Sequence, residues 1–183
     1  MTGPVAYIGA DSGFQALVET LAGVAEAVHV EPNPAALSAA LSDATALLDA
    51  SMAVPISDAM IQAAPNLRII SCATTGSDHI ARAAAEARGI AIRTLRDDGD
   101  LLANLTPAAE LSWALLLACA RNLPAAVAHT QAGHWRREDF PGVMVRGRTL
   151  GLIGVGRIGG WMARYAQAFG MTVLGFDPYQ DTM

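Results

Sequence analysis

Along its first 95 residues this chain keeps a strict rhythm, in which short and almost wholly apolar runs alternate with helical stretches. The runs are "VAYIG" (5–9), "EAVHV" (26–30), "ATALLDA" (44–50), "LRIISCA" (67–73) and "IAIRT" (90–94). Between them lie "FQALVETLAG", "PAALSAALS", "SDAMIQAAP" and "HIARAAAEARG", the third opened by Ser57 as an N-cap and the last closed by Gly89 as a C-cap. Strands this short and apolar, spaced by helices, predict a parallel sheet covered on both faces. Right-handed crossovers then make it a doubly wound α/β layer of five strands.

The rhythm changes at "LRDDGDLLANLT" (95–106), where three aspartates surround Gly99 and the polarity predicts a linker. A long helix follows, with Thr106 as N-cap, Pro107 at the first helical position and Glu110 near the first turn, where the helix dipole favours an anion. Its body, "LSWALLLACA", is apolar on nearly every face and therefore predicts cover on every side. "NLPAAVAHTQAGHW" predicts a shorter helix ending near Gly133, "HWRREDFPGVMVRGR" an irregular connection, and a second α/β pattern begins at Thr149. The organisation expected is one α/β domain over residues 1–100 and a second α/β unit over 101–183.

Composition narrows the class. Of 183 residues, 52% are hydrophobic and 16% charged, as in ordinary globular proteins. The net charge of −5 and the lack of a basic stripe argue against nucleic acid. Cys72 and Cys119 sit far apart in apolar runs and read as buried thiols of a reducing compartment. The N-terminal "MTGPVAYIGADSG" lacks the basic start and long apolar core of a signal peptide, and "PAAELSWALLLACA" is shorter than the roughly 18 residues a bilayer span needs. A cytoplasmic, non-membrane protein is the expectation.

The chemistry is concentrated in "LGLIGVGRIGGW" (150–161). Gly154, Gly156 and Gly159 form G-x-G-x-x-G, preceded by the strand "RTLGLI" and followed by a helical pattern and the strand "MTVLGFD". The first glycine permits a tight turn, the second close approach of backbone to a pyrophosphate, and the third close packing of helix on strand. The helix N-terminus then offers unpaired N–H groups to the phosphates. Asp177 stands 21 residues beyond Gly156, close to the spacing at which an acid binds the ribose 2′-hydroxyl, and its charge would repel a 2′-phosphate. NAD is thus the expected cofactor. The competing readings are a tight turn with no ligand and a solvated acid at a strand end. Arg157, a cation in a first helical turn, points to an anion nearby or else to solvent.

Taken together, "RGRTLGLIGVGRIGGWMARYAQAFGMTVLGFDPY", "NLRIISCATTGSDHI" and "TPAAELSWALLLACARNLPAA" resemble, in the same order, segments of the D-isomer-specific 2-hydroxyacid dehydrogenases. The resemblance implies a flavodoxin-like doubly wound substrate domain followed by an incomplete Rossmann dinucleotide-binding domain. It also implies a small 2-hydroxy or 2-oxo acid substrate and a homodimer in the complete enzyme. By the same resemblance Thr75 and Gly76 hold the substrate carboxylate through backbone amides, Arg157 and Ile158 lie along the pyrophosphate, and Thr106 lies near the nicotinamide. The competing reading of "TTGSD" is a plain turn with Ser77 or Asp78 as a helix cap, and Thr106 is already explained as a cap. Ala81 stands where the family often has aspartate.

The family's catalytic arginine, glutamate and histidine belong to later chain than is present here. None of His29, His79, His129 and His134 occupies that motif, and spacing implies no carboxylate partner for any of them. The expectation is therefore an N-terminal portion of such an enzyme, with no catalytic residue assigned, no metal site, and no turnover by itself. A non-catalytic NADH-binding module and a neighbouring NAD-dependent class, such as the amino-acid dehydrogenases, are the alternatives.

Overall fold

A computed structural model describes residues 3–179. The chain divides into two compact units, Met1–Leu102 and Ala103–Met183.

The first unit contains β1 (Val5–Ile8), α1 (Asp11–Thr20), β2 (Ala27–His29), α2 (Pro34–Leu41), β3 (Ala46–Asp49), α3 (Asp58–Gln62), β4 (Ile69–Cys72), α4 (Arg82–Ala87) and β5 (Ala91–Arg93). The strands pair in the order β2-β1-β3-β4-β5, parallel throughout, with Val5 opposite Ala27 and Ala46, Ala46 opposite Ile69, and Ile69 opposite Ala91. That is the flavodoxin-like order, whose ligands gather beyond the carboxyl ends of the strands. The core is aliphatic: Ile8, Leu37, Leu41, Leu47, Ile56, Ile61 and Ile70 are fully buried, each contributing roughly 1.5–3 kcal/mol by leaving water.

Local signals place the helices. Ser57 Oγ accepts the N–H of Met60 at 3.3 Å, so Ser57 caps α3 as its position predicts. Asn33 caps α2 in the same way, accepting from Ala36 at 2.8 Å. The first helix begins at Asp11 instead of near Phe14, because the acid in its first turn suits the helix dipole as well as the apolar residues suit its body.

Two expectations about the middle of the chain require correction. Residues 95–106 are no simple linker. Thr94 opens a 3-10 turn, Leu95–Asp97, in a reciprocal capping box with Asp97, and α5 (Gly99–Asn104) follows. Asp97 is thereby a capping acid as well as an exposed charge.

The second unit holds α6 (Pro107–Ala120), α7 (Leu123–Gln131), a 3-10 turn Arg137–Asp139, β6 (Thr149–Ile153), α8 (Arg157–Ala168) and β7 (Thr172–Phe176). β6 and β7 form a parallel pair joined through α8, with Thr149 opposite Thr172 and Ile153 opposite Phe176. Met162, Ala163 and Ala166 make the buried stripe of α8. Trp113 of α6 packs there, with its ring edge-on to Phe169 at a centroid distance of 4.9 Å.

Contrary to the all-round apolar pattern, only Ala109 and Trp113 of α6 are buried, while Leu111 and Leu115 are 61% and 58% exposed. Cys119, expected inside, is exposed on this helix, whereas Cys72 is buried at the end of β4. Together the residues Gly99–Ala120 are long and apolar enough to cross a membrane by length and composition, more than residues 107–120 suggest alone, although the run breaks into α5 and α6 before Pro107.

Candidate functional site

The glycine loop is built by the strand that enters it and the helix that leaves it. Gly154 follows β6 with φ +88°, a conformation costly for any side chain, and its N–H donates to the Phe176 carbonyl at 2.7 Å. Gly159, in the first turn of α8, lies directly against Gly154: a Cβ on Gly159 would overlap the Gly154 carbonyl oxygen. A Cβ on Gly156 would meet nothing within 4 Å, so this position opens outward. The first helical hydrogen bond across this end runs from Gly160 N–H to Gly156 carbonyl at 2.8 Å, and the amides of Arg157, Ile158 and Gly159 precede it.

Asp177, just after β7, closes over the loop. Its Oδ2 accepts the N–H of Val155 at 2.7 Å and its Oδ1 the N–H of Tyr179 at 2.9 Å. These two bonds, that of Tyr179 first, hold its carboxyl below the usual aspartate range. An ionised carboxylate has about four acceptor positions, so each oxygen keeps capacity for a hydroxyl donor.

Three other predicted positions behave differently. The guanidinium of Arg157 donates to the Leu105 carbonyl, which occupies one of its five N–H donors. The Ile158 side chain is 40% exposed. Thr106 adopts helical backbone and makes no side-chain cap; its hydroxyl instead donates to Glu110 Oε1 at 2.5 Å. Thr106 thus stands at the N-cap position as expected but gives no side-chain cap, because its φ of −101° and ψ of −12° turn the hydroxyl from the helix amides to a carboxylate one turn on.

In the first unit the segment after β4 forms a loop at the carboxyl edge of the sheet. Thr74 folds it, its hydroxyl donating to the Gly76 carbonyl at 2.9 Å while its own carbonyl accepts from Leu95 at 3.0 Å. Among the described residues the N–H groups of Thr75 and Gly76 donate to no acceptor. Neither Ser77 nor Asp78 caps the next helix. Its N-cap is Ala81, whose methyl group cannot accept a hydrogen bond. Ser77 is buried and accepts from Arg82 Nη1 at 2.6 Å.

Sequence reasoning missed one pair entirely. Asp49, 1% exposed at the end of β3, accepts from His79 Nε2 at 2.8 Å through Oδ2. Its Oδ1 accepts the amides of Ser51 and Met52, both at 2.9 Å. Met52 is held at φ +56°. Asp49 therefore ties together the loops that follow β3 and β4. The available signal was a charged residue closing the apolar run "ALLD".

With this geometry in hand, comparison with known proteins is direct. Residues 10–96 match the catalytic domain of the D-isomer-specific 2-hydroxyacid dehydrogenases, and residues 113–183 match their NAD-binding domain. A D-3-phosphoglycerate dehydrogenase of Methanocaldococcus jannaschii is 42% identical over 120 residues, which are 66% of this chain and 22% of that protein. A protein of Thermus thermophilus, TT0316, superposes with a TM-score of 0.83 at 29% identity, over 98% of this chain and 58% of its own. The NAD-dependent formate dehydrogenase of Staphylococcus aureus, solved with NAD, shares the fold at a TM-score of 0.79 and 22% identity, over 98% of this chain and 58% of its own. The chain spans less than a third of the length of the curated relatives it matches, from 22% to 32%.

Proposed function

Because the chain belongs to the D-isomer-specific 2-hydroxyacid dehydrogenase family, we propose that it supplies the carboxylate loop and the dinucleotide cradle of an NAD-dependent oxidoreductase acting on the CH–OH group of a small 2-hydroxy acid. The observation that carries this reading is the fit of Gly159 beneath the Gly154 carbonyl, with Asp177 closed over the same turn. A turn with no ligand would need neither an outward-opening Gly156 nor an acid beside it.

The chain's residues divide the work. The amides of Arg157, Ile158 and Gly159, at the positive end of α8, hold the pyrophosphate. Asp177 accepts a ribose hydroxyl and repels a 2′-phosphate, which favours NAD over NADP. Thr75 and Gly76 offer their unengaged amides to the substrate carboxylate. The nicotinamide, when bound, takes or gives the hydride at the substrate's C2. The arginine, glutamate and histidine that the family uses for proton transfer and carbonyl orientation have no counterpart assigned among these residues. The 183-residue polypeptide is accordingly proposed to bind without turning over.

Fluorescence titration with NADH and NADPH tests the cofactor half. The reading predicts NADH binding at least about tenfold tighter, and loss of that preference in Asp177→Asn. Equal or stronger NADPH binding would overturn it. A time course of NADH oxidation with glyoxylate, pyruvate or hydroxypyruvate tests the rest: a rate at the blank is expected, and a clear rate above it contradicts the binding-only proposal.

A further inference from the structure

The start of α8 offers more than its amides. Arg157 and Trp161 stand four residues apart on this helix and therefore share one face. Both donate to the same short segment of chain. The Arg157 guanidinium donates to the Leu105 carbonyl, and Trp161 Nε1 donates to the Ala103 carbonyl at 3.1 Å. Ala103 lies in the last turn of α5 and Leu105 directly follows that helix, where carbonyls find no partner along the helix itself. Ala103, Leu105 and α8 all belong to the second unit, so the arrangement is complete within it.

The indole is held from other sides as well. The Arg164 guanidinium lies over its ring, 4.5 Å from the centroid, and the Tyr165 ring is 6.0 Å away. A ring fixed in this way presents its N–H in one direction. It thereby fixes Ala103 and, two residues on, the carbonyl that takes Arg157. Arg157 is the first residue of α8, where the helix dipole opposes a cation and favours an anion. One N–H on Leu105 leaves the rest of the guanidinium fork for an acceptor at the same helix end. A fork already oriented also loses less freedom on binding than one that moves in solvent.

We propose that Trp161 is a positioning residue for the dinucleotide: through Ala103 and Leu105 it aims the Arg157 guanidinium at the pyrophosphate held by the α8 amides. The proposal rests on the cradle reading above. It adds a residue outside the glycine motif that acts on the cofactor only through another side chain. Charge-assisted bonds from arginine to phosphoryl oxygens depend on the orientation of a planar fork, so what supports the fork sets how well it binds.

The test is an amide NMR titration of the full 183-residue chain with NADH, run on the parent, Trp161→Phe, Arg157→Gln and the double variant. Trp161→Phe keeps a ring beneath Arg164 and removes the N–H that reaches Ala103. The result expected is NADH binding about tenfold weaker in Arg157→Gln and about three- to fivefold weaker in Trp161→Phe. The double variant should bind no more weakly than Arg157→Gln alone, because Trp161 acts only through that guanidinium. A role confined to supporting the fold would instead give losses that multiply, and that outcome overturns the proposal. Unchanged affinity in either single variant overturns it too, while the cradle reading stands. Failure of NADH to shift the amides of residues 156–159 in the parent overturns both.

Discussion

Asp49 and His79, 30 residues apart in the chain, meet at 2.8 Å beneath the carboxyl edge of the first sheet. Asp49 is almost wholly inaccessible, and the two backbone amides that it also receives, from Ser51 and Met52, have no other acceptor. Removing the carboxylate would leave the nearly buried imidazole and two part-buried amides without their acceptor. Asp49→Ala should therefore destabilise the chain by about 3 kcal/mol, and Asp49→Asn, which keeps an acceptor oxygen, by clearly less. Urea denaturation midpoints at constant slope measure the difference. An Asp49→Ala midpoint equal to the parent's would show that the pair bears no structural weight.

Much of the fold is legible in the residues themselves. The runs "VAYIG", "ATALLDA" and "LRIISCA" announce parallel strands because burial on both faces leaves no room for polar alternation. Ser57 announces its helix because a hydroxyl there has a defined donor to take. The pairing of Asp49 with His79 was hidden for a simple reason: spacing along the chain carries no information about which loop tips a sheet brings together. Thr106 and residues 95–104 were misjudged for the opposite reason. Local signals were present there, but Glu110 offered Thr106 a better acceptor, and Thr94 turned a run of aspartates into a capped turn. In the site itself, the glycine spacing and Asp177 were legible.

Two adjacent glycines in α8 should respond oppositely to the same substitution. Gly159→Ala drives a methyl into the Gly154 carbonyl and should cost roughly 1–3 kcal/mol. Gly160→Ala finds nothing within 4 Å, and as a helix-interior change it should stabilise by up to about 1 kcal/mol. Thermal melts of the two variants compare them directly. A neutral Gly159→Ala would mean that helix and turn do not pack as closely as described.

The two thiols should separate by reactivity. Burial, with the Asp49 charge behind it, pushes the Cys72 thiol from 9.0 up to about 11, while Cys119 is exposed. A disulfide reagent at pH 8 should label one thiol per native chain, at Cys119, and reach Cys72 only on unfolding. A folded Cys72 that holds its proton more tightly than the unfolded chain loses stability as pH rises between 9.0 and about 11. Cys72→Ser should flatten that decline. Labelling of both thiols at equal rates in the native chain would contradict this assignment.

Asp177 should titrate below an ordinary aspartate, because two N–H groups favour its charged form. A carboxyl depressed in the folded state contributes stability that is complete above the unfolded pKa and is lost as pH falls through the folded one. Carbon-detected NMR of the Asp177 carboxyl should show its midpoint below the usual aspartate range, with the Val155 amide moving in step. A midpoint within or above that range, or a still Val155 amide, would separate the acid from the loop.

The central claim is that the turn from Gly154 to Gly159 cradles a dinucleotide, and residue-resolved amide NMR of the chain titrated with NADH tests it most directly. The account predicts saturable shifts at Gly156, Arg157, Ile158, Gly159 and Asp177, abolished in Gly159→Ala. Shifts absent from this turn at saturating NADH, or unchanged by Gly159→Ala in a folded variant, would contradict it.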